Sequence, residues 1–469
     1  MSKIILVIKS VKHILLLIIL LFSIKAINAQ EVIIGNITII GNNTTKESFI
    51  IRELIFEEGD TLSTNDFEEA INASTNNIVN TSLFTEVNIS TNINNNTASI
   101  EIKVQERWYL WPIPQLTIDE RNFNTWLENP NLNRASAGIF LTHNNMRGRG
   151  EILKVLLMLG YNQKIGLSYE MPYLNKKKTF GMGFQSIYTL KHEVNAITEF
   201  DKQVFLKTDN NPIQRDWLST LDFNYRPKHY LHNKFQIRYH KWEFADSLVD
   251  FNPYYSPDST NSLQYFGLFY KLKLDHRDYK PYPLNGYYTD IVLSKNGLGI
   301  FDNGLNTFSI KSTSRKYFQI HNRFYGAMGL IAKASFGGFQ PYMIERGLGY
   351  GRDYVRGYEY YVIDGQDYVV AKSNIKFALV PKKIFKVKKI PTEKFNTIPI
   401  SIYLNVFADA GFVNNKQIYS TTNKLPNDFI YSGGIGLDIS TYYDAVARVE
   451  WTINAWGESR VYLHFIAPI

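Results

Sequence analysis

The chain reads as a small α+β domain followed by a sixteen-stranded antiparallel β-barrel that crosses a membrane. Three observations carry this reading. Beyond about residue 106, apolar and polar side chains alternate along many runs, several of them long enough for the roughly 9 to 11 residues of a tilted membrane strand. Tyr (31) and Phe (30) are abundant, yet mean hydropathy is only −0.21. No stretch of about 18 apolar residues follows residue 30, so a helical span has no candidate. A transmembrane barrel combines these features: an apolar outer face, a wet lumen, and aromatic girdles at the interfaces. A large soluble all-β protein shares the alternation, but it rarely adds this aromatic content and an export signal.

The export signal occupies residues 1–29. Lys3, Lys9 and Lys12 make a positive start, Ile14 to Ile24 is apolar apart from Ser23, and Ala26-Ile-Asn-Ala29 offers a small residue for cleavage before Gln30. The apolar run is about half of the ~20 residues that a spanning helix needs. The 469 residues carry a net charge of +8. Four lysines (3, 9, 12 and 25) and no acid lie in the signal, so the remainder carries +4, too mild a charge to argue for nucleic acid. With no cysteine, disulfides, thiol chemistry and a bacterial lipid anchor are excluded.

Residues 30–105 form the small domain. Val32 to Ile40 reads as a strand that ends at Gly41-Asn42-Asn43. Thr44-x-x-Glu47 has the form of a capping box, with Ile50, Ile51 and Leu54 following at helical spacing. Ser63-x-x-Asp66 begins a second helix, whose Phe67, Ile71, Ser74 and Ile78 share one stripe. Thr85 to Ser90 and Ala98 to Val104 alternate as strands around an asparagine-rich hairpin at 92–96. The expectation is two helices packed on a three-stranded sheet.

Residues 106–469 form the barrel. In 163–171, Ile165, Leu167, Tyr169 and Met171 oppose Lys164, Ser168 and Glu170. In 367–380, Val369, Ala371, Ile375, Phe377 and Leu379 oppose Lys372, Asn374 and Lys376. In 445–454, Ala447, Val449, Trp451 and Ile453 oppose Arg448, Glu450, Thr452 and Asn454. The last run sets Val461, Leu463, Phe465, Ala467 and Ile469 against Arg460, Tyr462 and His464. Sixteen strand starts can be placed between about 108 and 459; single-chain bacterial barrels require an even number. A further segment at 198–208 is therefore assigned to an extracellular hairpin. With both ends periplasmic, the long segment 338–366 falls outside. The basic stretch 382–394 reads as a solvated turn or as a site attracted to phosphate headgroups.

Segment 338–366 contains Val355-Arg356-Gly357-Tyr358. Gly357 permits a tight turn, and Arg356 offers a rigid fork of donors suited to an inward-facing carboxylate. In Phe407-Ala-Asp409-Ala-Gly411, alternation places Leu404, Val406 and Ala408 toward lipid and so Asp409 inward. The catalytic signatures of hydrolases, zinc proteases and phosphate loops are missing: there is no Gly-x-Ser-x-Gly, no His-Glu-x-x-His and no Gly-Lys-Ser/Thr. No enzymatic activity, metal or cofactor is expected.

Taken in order, Ile39-x-Gly41-Asn42, Arg52-Glu53-Leu54, Gly59-Asp60 and Leu83-Phe84-x-x-Val87 resemble a POTRA domain, present here as a single copy. With the barrel, the loop tip and Asp-x-Gly, the chain resembles the BamA/TamA outer-membrane assembly family over essentially its whole mature length. The resemblance implies a periplasmic POTRA and a loop, 338–366, folded back into the barrel. Its tip (Val355, Arg356, Gly357, Tyr358) would meet wall residues Asp409, Gly411 and Asn374. In the family the position of Asn374-Ile-Lys376 commonly reads Glu-x-Arg, so one acidic partner of Arg356 is expected to be lost. A lateral seam is implied at the last strand, with Val461, Leu463 and Phe465, and Pro468 would weaken its pairing. The implied function is insertion of unfolded outer-membrane β-barrel clients into the bilayer, with periplasmic chaperones and accessory subunits as partners and no nucleic acid. The competing functions are a polypeptide translocation pore of the two-partner secretion type, or a plain porin or receptor.

Overall fold

The structure, a computed structural model, describes residues 31–118, 127, 135–208, 211–301, 304–386, 397–417, 420–441 and 444–465. The expected signal segment 1–29 lies outside these residues, as do Pro468 and most of the basic stretch 382–394.

The N-terminal domain contains β1 (Glu31–Ile40), α1 (Glu47–Ile51), β2 (Thr61–Ser63), α2 (Thr64–Val79), β3 (Phe84–Asn94) and β4 (Thr97–Glu106). Its sheet has four strands in the order β2-β1-β4-β3. The three strands expected from sequence omitted β2, whose three residues are too short for alternation to mark. β1 runs parallel to β4, while β2 and β3 pair antiparallel at the two edges. Ala98, Ile100, Ile102 and Val104 turn one face of β4 onto Phe67, Ala70 and Ile78 of α2, which forms the core. Ser63 caps α2, its Oγ accepting from the Asp66 N–H. The capping box expected at Thr44 does not form. Lys46 occupies the cap position of α1 without a side-chain bond. The Thr44 and Thr45 N–H groups donate instead to the Glu106 carboxylate, a stronger acceptor than a hydroxyl.

The barrel sheet has sixteen strands, each antiparallel to its neighbours. It begins with β5 (Leu110–Ile118), β6 (Ala135–Met146), β7 (Glu151–Gly160), β8 (Asn162–Met171) and β9 (Phe180–Lys191). The hairpin β10 (Glu193–Glu199) and β11 (Lys202–Lys207) stands apart as its own two-stranded sheet. The barrel resumes with β12 (Gln214–Lys228), β13 (Leu231–Phe244), β14 (Ser262–Asp275), β15 (Gly286–Asn296), β16 (Thr307–His321) and β17 (Phe324–Gly337). It ends with β18 (Asp367–Lys386), β19 (Thr397–Asn414), β20 (Phe429–Ser440), β21 (Val446–Asn454) and β22 (Ser459–His464). Strands β5 and β22 are the two ends of the pairing order.

Alternation separates the two faces sharply. On β19, Leu404 and Val406 are 43% and 54% exposed toward lipid, whereas Asp409 is 3% exposed in the lumen. Outside, the β10–β11 hairpin packs with α3 (Asp246–Phe251) and the loop before Met343 in a cluster that includes Trp242, Phe244, Leu248, Tyr255 and Tyr342. At the periplasmic rim the POTRA-like domain rests on several barrel turns. Lys46 N–H donates to Gly148 O (2.9 Å) in the β6–β7 turn, and Asn145 Nδ2 donates to Thr45 Oγ1 (2.8 Å). Asn80 Nδ2 donates to Asp278 O (3.0 Å) in the β14–β15 turn. Arg107 Nη1 donates to Asp444 Oδ2 (2.9 Å) before β21.

Candidate functional site: the loop tip inside the barrel

The loop between β17 and β18 turns into the lumen, and its tip is among the most buried parts of the chain. Val355, Arg356 and Tyr358 are 1%, 0% and 2% exposed. Gly357 has φ +86°, a conformation that an L side chain adopts only at a cost. The turn is tied by Gly357 N–H donating to Glu359 Oε2 (2.8 Å) and by Asn454 Nδ2 donating to Gly357 O (3.0 Å).

Arg356 uses its whole fork. Nε donates to Asp409 Oδ2 (2.8 Å), Nη2 to Asp409 Oδ1 (2.5 Å) and Nη1 to Glu450 Oε1 (3.2 Å). Nη2 also meets Ser373 O (3.3 Å), and the Arg356 backbone N–H donates to Asp409 Oδ2 (3.3 Å). The guanidinium lies 3.8 Å from the ring centroid of Phe407, and this stacking arrangement suits a delocalised cation. Phe407 in turn lies over Gly434, where an added Cβ would sit 2.7 Å from the ring's Cζ.

A second pair braces the first. Arg448 Nη2 donates to Asp438 Oδ2 (2.6 Å), and its Nη1 lies 3.4 Å from Glu450 Oε1. Asp438 also accepts from Tyr282 Oη (2.6 Å) and Asn405 Nδ2 (2.8 Å), so its lone pairs are well used. Lys372 Nζ stands 3.7 Å from Asp409 Oδ2. Buried charges persist only when matched in this way.

The tip also touches the last strand. Tyr462 Oη donates to Gly357 O at 3.5 Å, and His464 Nε2 lies 3.4 Å from Glu359 Oε1 and 3.5 Å from Glu450 Oε2. One loop therefore contacts β18, β19, β21 and β22 at once.

The structure brings Arg356 and Asp409 together and seats Val355 against Gly411, where a Cβ would lie 2.7 Å from Val355 Cγ2. Asn374 stands opposite Phe407 in the β18–β19 register but makes no hydrogen bond to the tip. Arg356 meets the neighbouring Ser373 carbonyl instead, and the Asn374 amide atoms are buried without a hydrogen-bond partner. The acid expected to be lost from that position is supplied by Glu450, four strand residues from the chain's last turn. Alternation in 445–454 already put Arg448 and Glu450 on the charged face, but no spacing linked them to a loop some ninety residues earlier. On the seam strand, Val461 and Phe465 are 61% and 63% exposed, and Phe465 falls just beyond β22. Val461 and Leu463 pair with Trp451 and Val449 of β21.

No group of three or more His, Asp or Glu side chains among the described residues is arranged to hold a metal ion. Matched charges fix the loop to the wall.

These features define an outer-membrane β-barrel with a periplasmic POTRA domain. The POTRA profile, described as a surface antigen variable number repeat, matches residues 32–107, and the Omp85 superfamily domain matches residues 145–442. The chain belongs to the Omp85 superfamily, sits in the bacterial outer membrane and holds its POTRA in the periplasm. Among solved structures it resembles BamA from Haemophilus ducreyi lacking POTRA domains 1–3, at 15% identity and TM-score 0.51, over 92% of this chain and 83% of that one. It also resembles CdiB from Escherichia coli, at 11% identity and TM-score 0.53, over 92% of this chain and 75% of that one. Comparison with curated proteins gives no match.

Proposed function

We propose that this chain is a non-enzymatic assembly factor that receives unfolded β-barrel clients and promotes their insertion into the outer membrane. The observation that carries the reading is the Arg356 clasp together with its contacts to Tyr462 and His464. A loop anchored to Asp409 and Glu450 holds the terminal strand from inside. The wall stays rigid while the outer edge of that strand, with Val461 and Phe465 facing lipid, is the part left to change partners. A client strand could first be met at an edge of the POTRA sheet. β3 is eleven residues long and exposed over most of its outer half, a surface suited to β-augmentation. Periplasmic chaperones and accessory subunits would dock on the same domain.

Depletion of the protein followed by quantitation of the outer-membrane proteome tests this. The expected result is loss of many folded barrel proteins. Loss of a single exported polypeptide with the barrels intact would replace the reading by a translocation pore. An unchanged proteome would leave a porin or receptor.

A further inference from the structure

A second polar site lies at the opposite end of the lumen, beneath the POTRA domain. A cavity of about 550 Å³ opens there, lined by six basic side chains against two carboxylates, Glu170 and Asp275. Four of the six bases already have acidic partners. Arg226 holds Glu53, Lys234 holds Asp222, Lys271 holds Asp290 and Arg277 holds Asp275. The two that remain, Lys273 and Lys280, have no carboxylate within ion-pair distance among the described residues. Asp275 bears on both and Glu53 on Lys280, but Arg277 takes the two oxygens of Asp275 at 2.7 and 2.9 Å, and Arg226 takes both of Glu53. Lys273 instead faces the like charges of Lys280, Lys271 and Arg277.

Such crowding is unfavourable in a recess with limited water, unless something negative relieves it. A second cavity, about 560 Å³, extends from the same residues toward α2 of the POTRA domain and shares Arg226, His232, Asp275, Arg277 and Lys280. Lys280 therefore stands at the boundary between lumen and POTRA. Its backbone N–H is fixed there by Asn80 Oδ1 (3.1 Å).

We propose that Lys273 and Lys280 form an anion site for a phosphate group, placed where the POTRA domain closes the periplasmic end of the barrel. The free donors are ammonium groups, compact point charges with three rotatable protons each. They suit the several oxygens of a tetrahedral phosphate, whereas the planar forks that match carboxylates are already occupied here. A dianion also balances two unmatched cations where a monoanion leaves one. Glu170, an exposed carboxylate on the wall of the cavity, opposes the ligand. The site does not depend on the assembly reading.

The test uses the full chain folded in non-ionic detergent micelles. Titration calorimetry would follow inorganic phosphate, a short-chain phosphatidic acid below its micellar concentration, and acetate. Saturable phosphate binding is expected, weakened by roughly ten-fold for each ammonium removed in Lys273→Met and Lys280→Met. Glu170→Gln should tighten it. Inorganic phosphate binding points to a soluble source, and phosphatidic acid alone to a lipid headgroup; either supports the site. The proposal is overturned if neither phosphate binds saturably, if acetate binds as tightly, or if the lysine variants that retain heat-modifiable barrels bind as well as the parent. It is also overturned if Glu170→Gln leaves the affinity unchanged.

Discussion

Two arginine clasps hold this molecule together, and their surroundings differ more than their chemistry. Arg356 grips Asp409 and Glu450 in the lumen, with all three side chains fully buried. Arg226 grips Glu53 at the periplasmic rim, Nη1 to Oε1 at 2.6 Å and Nη2 to Oε2 at 2.7 Å, with 18% of the arginine side chain exposed. The first joins a loop to strands that are themselves held by continuous ladders. The second joins two domains through turns and a few flanking bonds, such as His229 Nε2 to Arg52 O at 2.7 Å and Tyr173 Oη to Glu53 Oε1 at 3.1 Å. If the lumen clasp opens, its charges remain shut away from bulk water. If the rim clasp opens, both partners border cavities that can admit water, and the arginine is already partly exposed. The same ion pair is therefore a lock in one place and a separable joint in the other.

The largest consequence falls on the lumen. Arg356→Ala takes the nearest cation from Asp409 and Glu450, leaving Lys372 at 3.7 Å and Arg448 at 3.4 Å, and the barrel should lose roughly 3–5 kcal/mol, read as a lower urea midpoint and loss of the heat-modifiable band. Equal stability in variant and parent would remove the distinction between the clasps. Glu53→Ala should have a smaller effect on the barrel. It should weaken docking of the POTRA by about 1.5–3 kcal/mol, seen as faster proteolysis of the domain at an unchanged barrel midpoint. A barrel midpoint that fell as far as for Arg356→Ala would make the rim a lock as well.

The joint should also respond to acid. Burial alone would raise the Glu53 carboxyl, but Arg226 outweighs it and holds the carboxyl below its ordinary value of 4.5. A depressed carboxyl contributes fully above that ordinary value and loses its contribution as pH falls through the lower, docked value. The Glu53 contribution to docking should therefore be flat from pH 7 to about 5 and be lost below about 4.5, read as faster POTRA proteolysis; acceleration already below about 6.5 would point to His229, which burial holds below its ordinary value. Gly357→Ala tests the lock by geometry alone. An alanine at φ +86° costs about 1–2 kcal/mol and should lower the urea midpoint in proportion, with every charge retained. The smallest effect is expected from Ser63→Ala, which removes the α2 cap for about 1 kcal/mol and should destabilise the POTRA without altering either clasp.

Much of the fold could be read in the chain because membrane strands announce themselves in pairs of residues. Starts expected near 135, 231, 262, 397 and 459 coincide with β6, β13, β14, β19 and β22. The short β2 escaped, since three residues carry no period. The capping box at Thr44 was a local pattern overruled from a distance by Glu106. At the site, Arg356 and Asp409 could be found from the turn chemistry of one and the alternation of the other. Glu450 could not, because its role depends on which strands lie across the lumen from the tip. Sequence likewise fixes which face Asn374 occupies but not its bonding: it stands opposite Phe407, the ring on which Arg356 stacks, yet its amide makes no hydrogen bond.

Alternation along each strand is a property of neighbouring residues, so the chain alone dictated which side chains meet lipid and which meet the lumen. Closing sixteen strands around a folded loop brings together groups from β18, β19, β21 and β22, and among the described residues leaves Lys273 and Lys280 at the far end with no carboxylate at ion-pair distance. Pairing between charges depends on distance in space, and the winding of the wall sets that distance. The partners of Arg356, and the lack of an ion pair for those lysines among the described residues, therefore belong to the assembled barrel.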